Sequence, residues 1–158
     1  MLIVWRLQTA GGQVQSSRDR LEEILPRLAA REGRERVFVR LYPQIARAAA
    51  DAADARRKAG VALGPLDGRI VSIKDLFDVA GEPTAAGSLL RACAPPAEKD
   101  AVAVARLRRA GAVILGKTAM TEFAFTAIGD NPHFGTPPNA ADAARIPGGS
   151  SSGAGVSV

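Results

Sequence analysis

The sequence predicts an α/β fold in which a mixed sheet carries helices on both faces. Three observations predict it. Residues 69–77 are rich in β-branched side chains and read as a strand. Val102, Ala105 and Leu107 belong to a helix that ends near Gly111, and residues 112–116 follow as a short buried strand. This helix–strand unit is the kind used in parallel or mixed sheets covered on both sides. Residues 42–59 form a long alanine-rich helix, with Pro43 in the first turn and Gly60 as its stop.

The remaining elements follow in chain order. Met1 to Trp5 is apolar but stops at Arg6, too short for a signal core or a membrane span. Residues 11–17 are polar and loop-like. Ser16-Ser17-Arg18-Asp19 is a capping-box start. Leu21, Ile24, Leu25 and Leu28 then keep helical spacing, with Pro26 as a kink or early break. Arg106, Arg108 and Arg109 take the wetter side of their helix. Residues 120–125 read as a short helix, 131–149 as a Pro-rich loop, and Ala154 onward as the start of a buried helix. No internal repeat is present.

Two segments carry chemistry. In the first, Pro147-Gly148-Gly149-Ser150-Ser151-Ser152-Gly153, three serines sit between glycines. Glycines permit tight backbone angles and close approach, and the serines crowd hydroxyls and amide N–H groups into that space. The pattern suits an anion cradle, an oxyanion site or a serine proton relay; the plain alternative is a Gly/Ser connector. The second segment ends the strand at 69–77. Alternation puts Ile70, Ser72 and Lys74 on one face and Val71, Ile73 and Asp75 on the other, so Lys74 points away from Asp75. Buried without a carboxylate partner, an amine loses its charge and becomes a general base; on an edge strand it is a solvated lysine.

Other readings of the serines are weaker. Gly149-Ser150-Ser151-Ser152-Gly153 fits G-x-S-x-G with Ser151 as nucleophile, but no hydrophobic strand precedes it and the one histidine, His133, comes earlier. A phosphate loop lacks its G-x-x-x-x-G-K-[ST]. Hydrophobic residues make up 47% of the 158 but aromatics only 4%, so the core rests on Ala, Val, Ile and Leu. The net charge of +5 comes from arginines scattered among acids, without an aromatic platform, which argues against nucleic acid. A single cysteine, Cys93, excludes an internal disulfide and fits a reducing, cytoplasmic compartment. No Cys, His and carboxylate cluster has metal-ligand spacing.

Together the segments resemble the amidase signature family, from about Ala46 to the last residue. The matching pieces run in order: Gly64-Pro65-Leu66-Asp67-Gly68, Ser72-Ile73-Lys74-Asp75, Ala80 to Ser88, Asp100 to Leu107, Gly111 to Thr118, Met120 to Phe125, Asn131 to Pro137, and the Gly-Ser run. The resemblance implies the N-terminal portion of a mixed-sheet amidase-signature fold. It implies amide hydrolysis by a Ser–cis-Ser–Lys triad, with Lys74 as the triad lysine and Ser150 as the bridging serine. Gly149 precedes the family's cis bond and leaves it least crowded. Ser151 and Ser152 are supporting donors. Phe123 and Phe125 are expected to pack in the core, although this neighbourhood also lines the family's substrate pocket. His133 reads as structural, and Lys117 as a surface residue on a Gly-Lys-Thr turn.

The family's nucleophilic serine lies beyond the bridging one, in a second glycine-rich stretch that the 158 residues do not contain. The expectation is therefore one incomplete domain over 1–158, helical at about 16–60 and α/β at about 64–158, truncated before the nucleophile segment and inactive alone. Unpaired strand edges and exposed apolar pairs, Val102 with Leu107 and Val113 with Leu115, would leave it marginally stable. The expected substrate is a small-molecule amide, with no cofactor, metal, membrane or nucleic acid. Homo-oligomerisation or pairing through a sheet edge is the expected route to association. The alternatives are an A-subunit-like glutaminase of a tRNA-dependent amidotransferase and a non-catalytic remnant.

Overall fold

The structure, a computed structural model, describes residues 3–4, 15–31 and 35–157. The apolar run at 1–5 lies outside these residues except for Ile3–Val4, and the polar stretch at 11–17 lies outside them up to residue 14.

The first helix, α1 (Ser17–Arg31), begins where the capping signal places it. The Ser16 hydroxyl accepts the Asp19 N–H at 2.9 Å. The Asp54 carboxylate reaches over from α2 (Pro43–Lys58) and accepts the N–H groups of Ser17 and Arg18, each at 2.9 Å. Three first-turn donors that no helix can satisfy internally are thereby bonded. Pro26 does not break the helix, which runs on to Arg31. Leu21 and Leu25, in the turns before it, are buried with Ala46 and Ala50 of α2, and that packing holds the segment together. Alanine at both positions lets the two helices close.

Four strands form one mixed sheet in the order β1-β3-β4-β2: β1 (Ile3–Val4), β2 (Phe38–Leu41), β3 (Ile70–Lys74) and β4 (Val113–Thr118). β3 and β4 run parallel, joined through α3 (Val102–Arg109), while β1 and β2 flank them antiparallel. Alternate residues face opposite layers. Ile70, Val113 and Leu115 pack with α1 and α2; Val71, Ile73 and Ile114 pack with Val104 and Leu107 of α3. Helices thus cover both faces, and Lys74 stands on a central, fully buried strand rather than on an edge. No helix among the described residues is long and apolar enough to cross a membrane.

Several expectations are corrected. β4 extends two residues past Gly116, so Lys117 is a strand residue, 1% exposed, and not a surface turn. Of the apolar pairs expected to be uncovered, Leu107, Val113 and Leu115 are buried within this chain, and only Val102 is exposed. Residues 120–125 give one 3₁₀ turn, Glu122–Ala124, because their amides are spent elsewhere: Thr121 N–H bonds the Ser150 carbonyl and Phe123 N–H the Ala86 carbonyl. Phe123 and Phe125 do not enter the core; they are 48% and 91% exposed. The last helix, α4 (Ser152–Val156), starts two residues before Ala154 and packs over β3 and β4.

Candidate active site

The site forms where the end of β3 meets the Gly-Ser loop. Lys74 closes β3, and the chain turns at once, with Phe77 N–H bonded to the Lys74 carbonyl at 3.1 Å. Its side chain is buried, with the residue 6% exposed. Burial pushes the Lys74 amine below the ordinary lysine value of 10.5. Its Nζ lies 2.6 Å from Ser150 Oγ.

Main-chain bonds hold Ser150 from both sides. Gly148 N–H donates to the Ile128 carbonyl at 3.1 Å and Gly149 N–H to the Ala127 carbonyl at 2.8 Å. Thr121 N–H then donates to the Ser150 carbonyl at 3.1 Å. The two passes of loop lie so close that a Cβ on Gly149 would sit 2.8 Å from the Gly129 nitrogen. Gly149 has to be glycine for this reason, and its peptide bond to Ser150 is cis. Past the loop, Gly153 N–H bonds the Ala119 carbonyl at 3.0 Å, anchoring α4 on the residue after β4.

The other candidates named from the sequence divide. Ser151 precedes α4, its carbonyl accepting the Gly155 N–H at 3.0 Å. Ser152 is 1% exposed, and its hydroxyl finds no hydrogen-bond partner among the described residues. His133 Nε2 lies 3.5 Å from Glu122 Oε2, and its backbone N–H donates to Asn131 Oδ1 at 2.9 Å.

Two groups escape a reading of the sequence. Asn131, 3% exposed, donates through Nδ2 to the carbonyls of Gly87 at 2.8 Å and Met120 at 2.9 Å, while Oδ1 accepts from His133 and Phe134. Its signal is the Asn-Pro turn it begins. Lys117 Nζ lies 2.7 Å from Asp75 Oδ1, a buried ion pair on the sheet face away from Lys74. Its signal is an aspartate at a buried strand end, which demands a cation.

Chemically, the arrangement is a desolvated amine joined to a hydroxyl over a distance that a proton crosses. A hydroxyl donates one hydrogen bond and accepts others, so Ser150 can pass a proton from a third group to Lys74.

Among known proteins, the amidase family model matches residues 19–158. AtzE of Pseudomonas sp. (strain ADP), which belongs to a 1-carboxybiuret hydrolase, is 45% identical over 90% of the chain and 31% of its own length. The A subunit of the glutamyl-tRNA(Gln) amidotransferase of Anaeromyxobacter dehalogenans (strain 2CP-C) is 44% identical over 90% of the chain and 29% of its own length. Among solved structures, one from a vestigial complex bearing on the origins of an s-triazine catabolic enzyme superposes with a TM-score of 0.85. It is 44% identical and covers 91% of this chain and 32% of its own. The native peptide amidase of Stenotrophomonas maltophilia superposes with a TM-score of 0.76 at 35% identity, over 88% of this chain and 30% of its own. The chain thus spans about a third of the length of the relatives it matches.

Proposed function

The chain belongs to the amidase signature family, and from that premise we propose that it supplies the base and the bridging hydroxyl of an amide hydrolase acting on a small carboxamide. The observation that carries this reading is the 2.6 Å contact between Lys74 Nζ and Ser150 Oγ at a buried strand end. Neutral Lys74 takes the Ser150 proton as Ser150 takes one from the attacking hydroxyl. The relay then returns it to the leaving nitrogen. The attacking serine is assigned to a segment outside the 158 residues, and the domain over 1–158 is one part of the catalytic unit. Gly149, Ser151 and Ser152 shape the relay, and exposed Phe123 and Phe125 are candidates for the substrate side.

A second reading has support of its own. The amidotransferase relative matches at nearly the same identity as AtzE. In that reading the same two residues would release ammonia from glutamine for a partner. Both readings use Lys74 and Ser150.

The test joins residues 1–158 to the remaining length of AtzE, the 45% identical relative, and measures ammonia released from carboxamides. Hydrolysis is expected in the chimera and background from the 158-residue polypeptide alone. Turnover by the polypeptide alone that disappears in Ser150→Ala would place the nucleophile inside it. A chimera that keeps its rate in Lys74→Met would remove Lys74 from the relay. Comparing glutamine with simple carboxamides separates the two readings.

A further inference from the structure

The sequence sets a carboxylate, Asp75, one residue from the amine that must stay neutral. A bare carboxylate nearby favours the protonated amine, and a buried site strengthens that pull. The fold answers with Lys117. It stands on β4 opposite Ile73 in the parallel register and is 1% exposed. An ammonium carries three N–H donors. Here they meet Asp75 Oδ1 at 2.7 Å, Thr84 Oγ1 at 3.0 Å and the Pro83 carbonyl at 3.1 Å. Asp75 is also fixed through its backbone, its N–H bonding the Thr118 carbonyl and its own carbonyl accepting the Ala86 N–H, each at 3.1 Å.

We infer that Lys117 is a positioning residue for the base: it locks the Asp75 carboxylate into a closed ion pair on the opposite sheet face, cancelling a charge that would otherwise keep Lys74 protonated. The inference rests on the relay reading above and deepens it. Of the other charges near the pair, Arg40 and Glu82 are matched to each other, and Arg36 makes no ion pair among the described residues. Arg40 of β2 binds Glu82 at 2.9 Å, and Arg36 with these residues lines the same cavity, of about 310 Å³, as Asp75 and Lys117. The Tyr42 phenol, between β2 and α2, is buried near them. On the Lys74 side α4 contributes no ionisable side chain. Arg106 and Arg109 of α3 stand on the flank of that helix away from its buried Val104 and Leu107, whereas Arg108, one turn after Val104, lies on the side of the Tyr42 phenol and holds Asp100 at 2.8 Å.

The chain has four lysines, Lys58, Lys74, Lys99 and Lys117, so the Lys74 amine can be titrated by carbon-13 NMR with labelled lysine. Lys117→Met, which leaves Asp75 uncompensated, is expected to raise the Lys74 midpoint by about half a pH unit or more. Asp75→Asn, which leaves Lys117 uncompensated, is expected to lower it. The double variant Asp75→Asn/Lys117→Met should return it close to the native value. Midpoints that stay put, or move the same way in both single variants, would mean the pair merely supports the fold. If Lys117→Met does not fold, Asp75→Asn and the double variant decide: a lowered midpoint restored in the double supports the inference, and equal midpoints overturn it. A native Lys74 that titrates at the ordinary lysine value overturns the relay reading itself, whatever the variants do.

Discussion

The Ser150 carbonyl accepts the Thr121 N–H at 3.1 Å, so the residue that bears the proposed relay hydroxyl is bonded to the segment that leaves β4. Lys74 ends β3, the parallel neighbour of β4. The contact between Lys74 and Ser150, 76 positions apart in the chain, is therefore set by the pairing of two central strands and not by the flexibility of a loop. What anchors the loop and α4 to β4 should matter as much as the two side chains themselves.

Gly153 is such an anchor. A Cβ there would collide with the Val37 carbonyl oxygen and come 2.6 Å from the Ala119 nitrogen, both backbone atoms that cannot swing aside. Gly153→Ala is expected to destabilise the chain by about 1–3 kcal/mol, the usual cost of overpacking. Gly155, two residues on, has open space around its Cβ direction. Gly155→Ala should be neutral or raise stability by about 0.5–1 kcal/mol, because alanine suits a helix better. Thermal melting of the two variants side by side checks this; equal effects would contradict the crowding seen at Gly153.

Asn131 ties the other side of the site. Its amide donates to two carbonyls and accepts from two N–H groups, all within the segments 87, 120 and 133–134. Asn131→Ala leaves buried polar groups without partners, at roughly 1–3 kcal/mol for each group that water cannot reach. Asn131→Asp should not rescue it, since a carboxylate cannot donate to Gly87 and Met120. Denaturant melts of both variants should show similar losses, and a native-like Asn131→Asp would show that the two donated bonds carry no weight.

The elements legible in the sequence are those with a local cause. The Ser16 cap, the proline that opens α2 and the β-branched run of β3 each announce themselves over a few residues, and the structure has all three. Lys74 and the serine run each stand out locally, but that they meet is legible only through the resemblance, because nothing local joins two segments so far apart. What the sequence hides depends on partners distant in the chain. Lys117 reads as a turn residue because Gly116 precedes it, yet that glycine is there because a Cβ would strike the Arg40 carbonyl of β2. Residues 120–125 have helical composition, but Ala86 and Ser150 claim their amides. Hydrophobicity alone would put Phe123 and Phe125 inside, and Phe123 instead sits in the left-handed region at φ 47°.

Asp54 couples helix docking to pH. Burial raises its carboxyl, but the bonds from Arg18 and Ser17 N–H and the Arg57 guanidinium outweigh burial and hold it below the usual 3.8. A carboxyl lowered in the folded state stabilises above its unfolded value and loses that contribution as pH falls through the folded value. Asp54→Ala also removes a cap, so it is expected to cost about 1–2 kcal/mol near neutral pH. The gap from the native chain should narrow as the pH falls from the usual carboxylate value through the lower folded one. Melting temperatures from about pH 7 down to about pH 2 would check it; a gap independent of pH would mean the carboxylate's charge is irrelevant to docking.

Lys74 should leave the opposite trace. Its amine is lowered in the folded chain by burial, so between that value and the ordinary 10.5 the unfolded chain binds the extra proton. Stability contributed by this residue therefore rises with pH across that window and is least below it, where folding must bury a charge. Lys74→Met fills much the same space without a charge. It is expected to be at least as stable as the native chain near neutral pH, with a flatter rise toward the alkaline end of the window. In the chimera the same substitution should cut amide hydrolysis by about 10²–10⁴-fold, the usual worth of a positioned general base. Stability maintained while activity is lost is the signature of a group kept for chemistry at a cost to folding. If Lys74→Met instead melts far below the native chain at every pH, the lysine holds the strand end together, and its contact with Ser150 is a structural hydrogen bond.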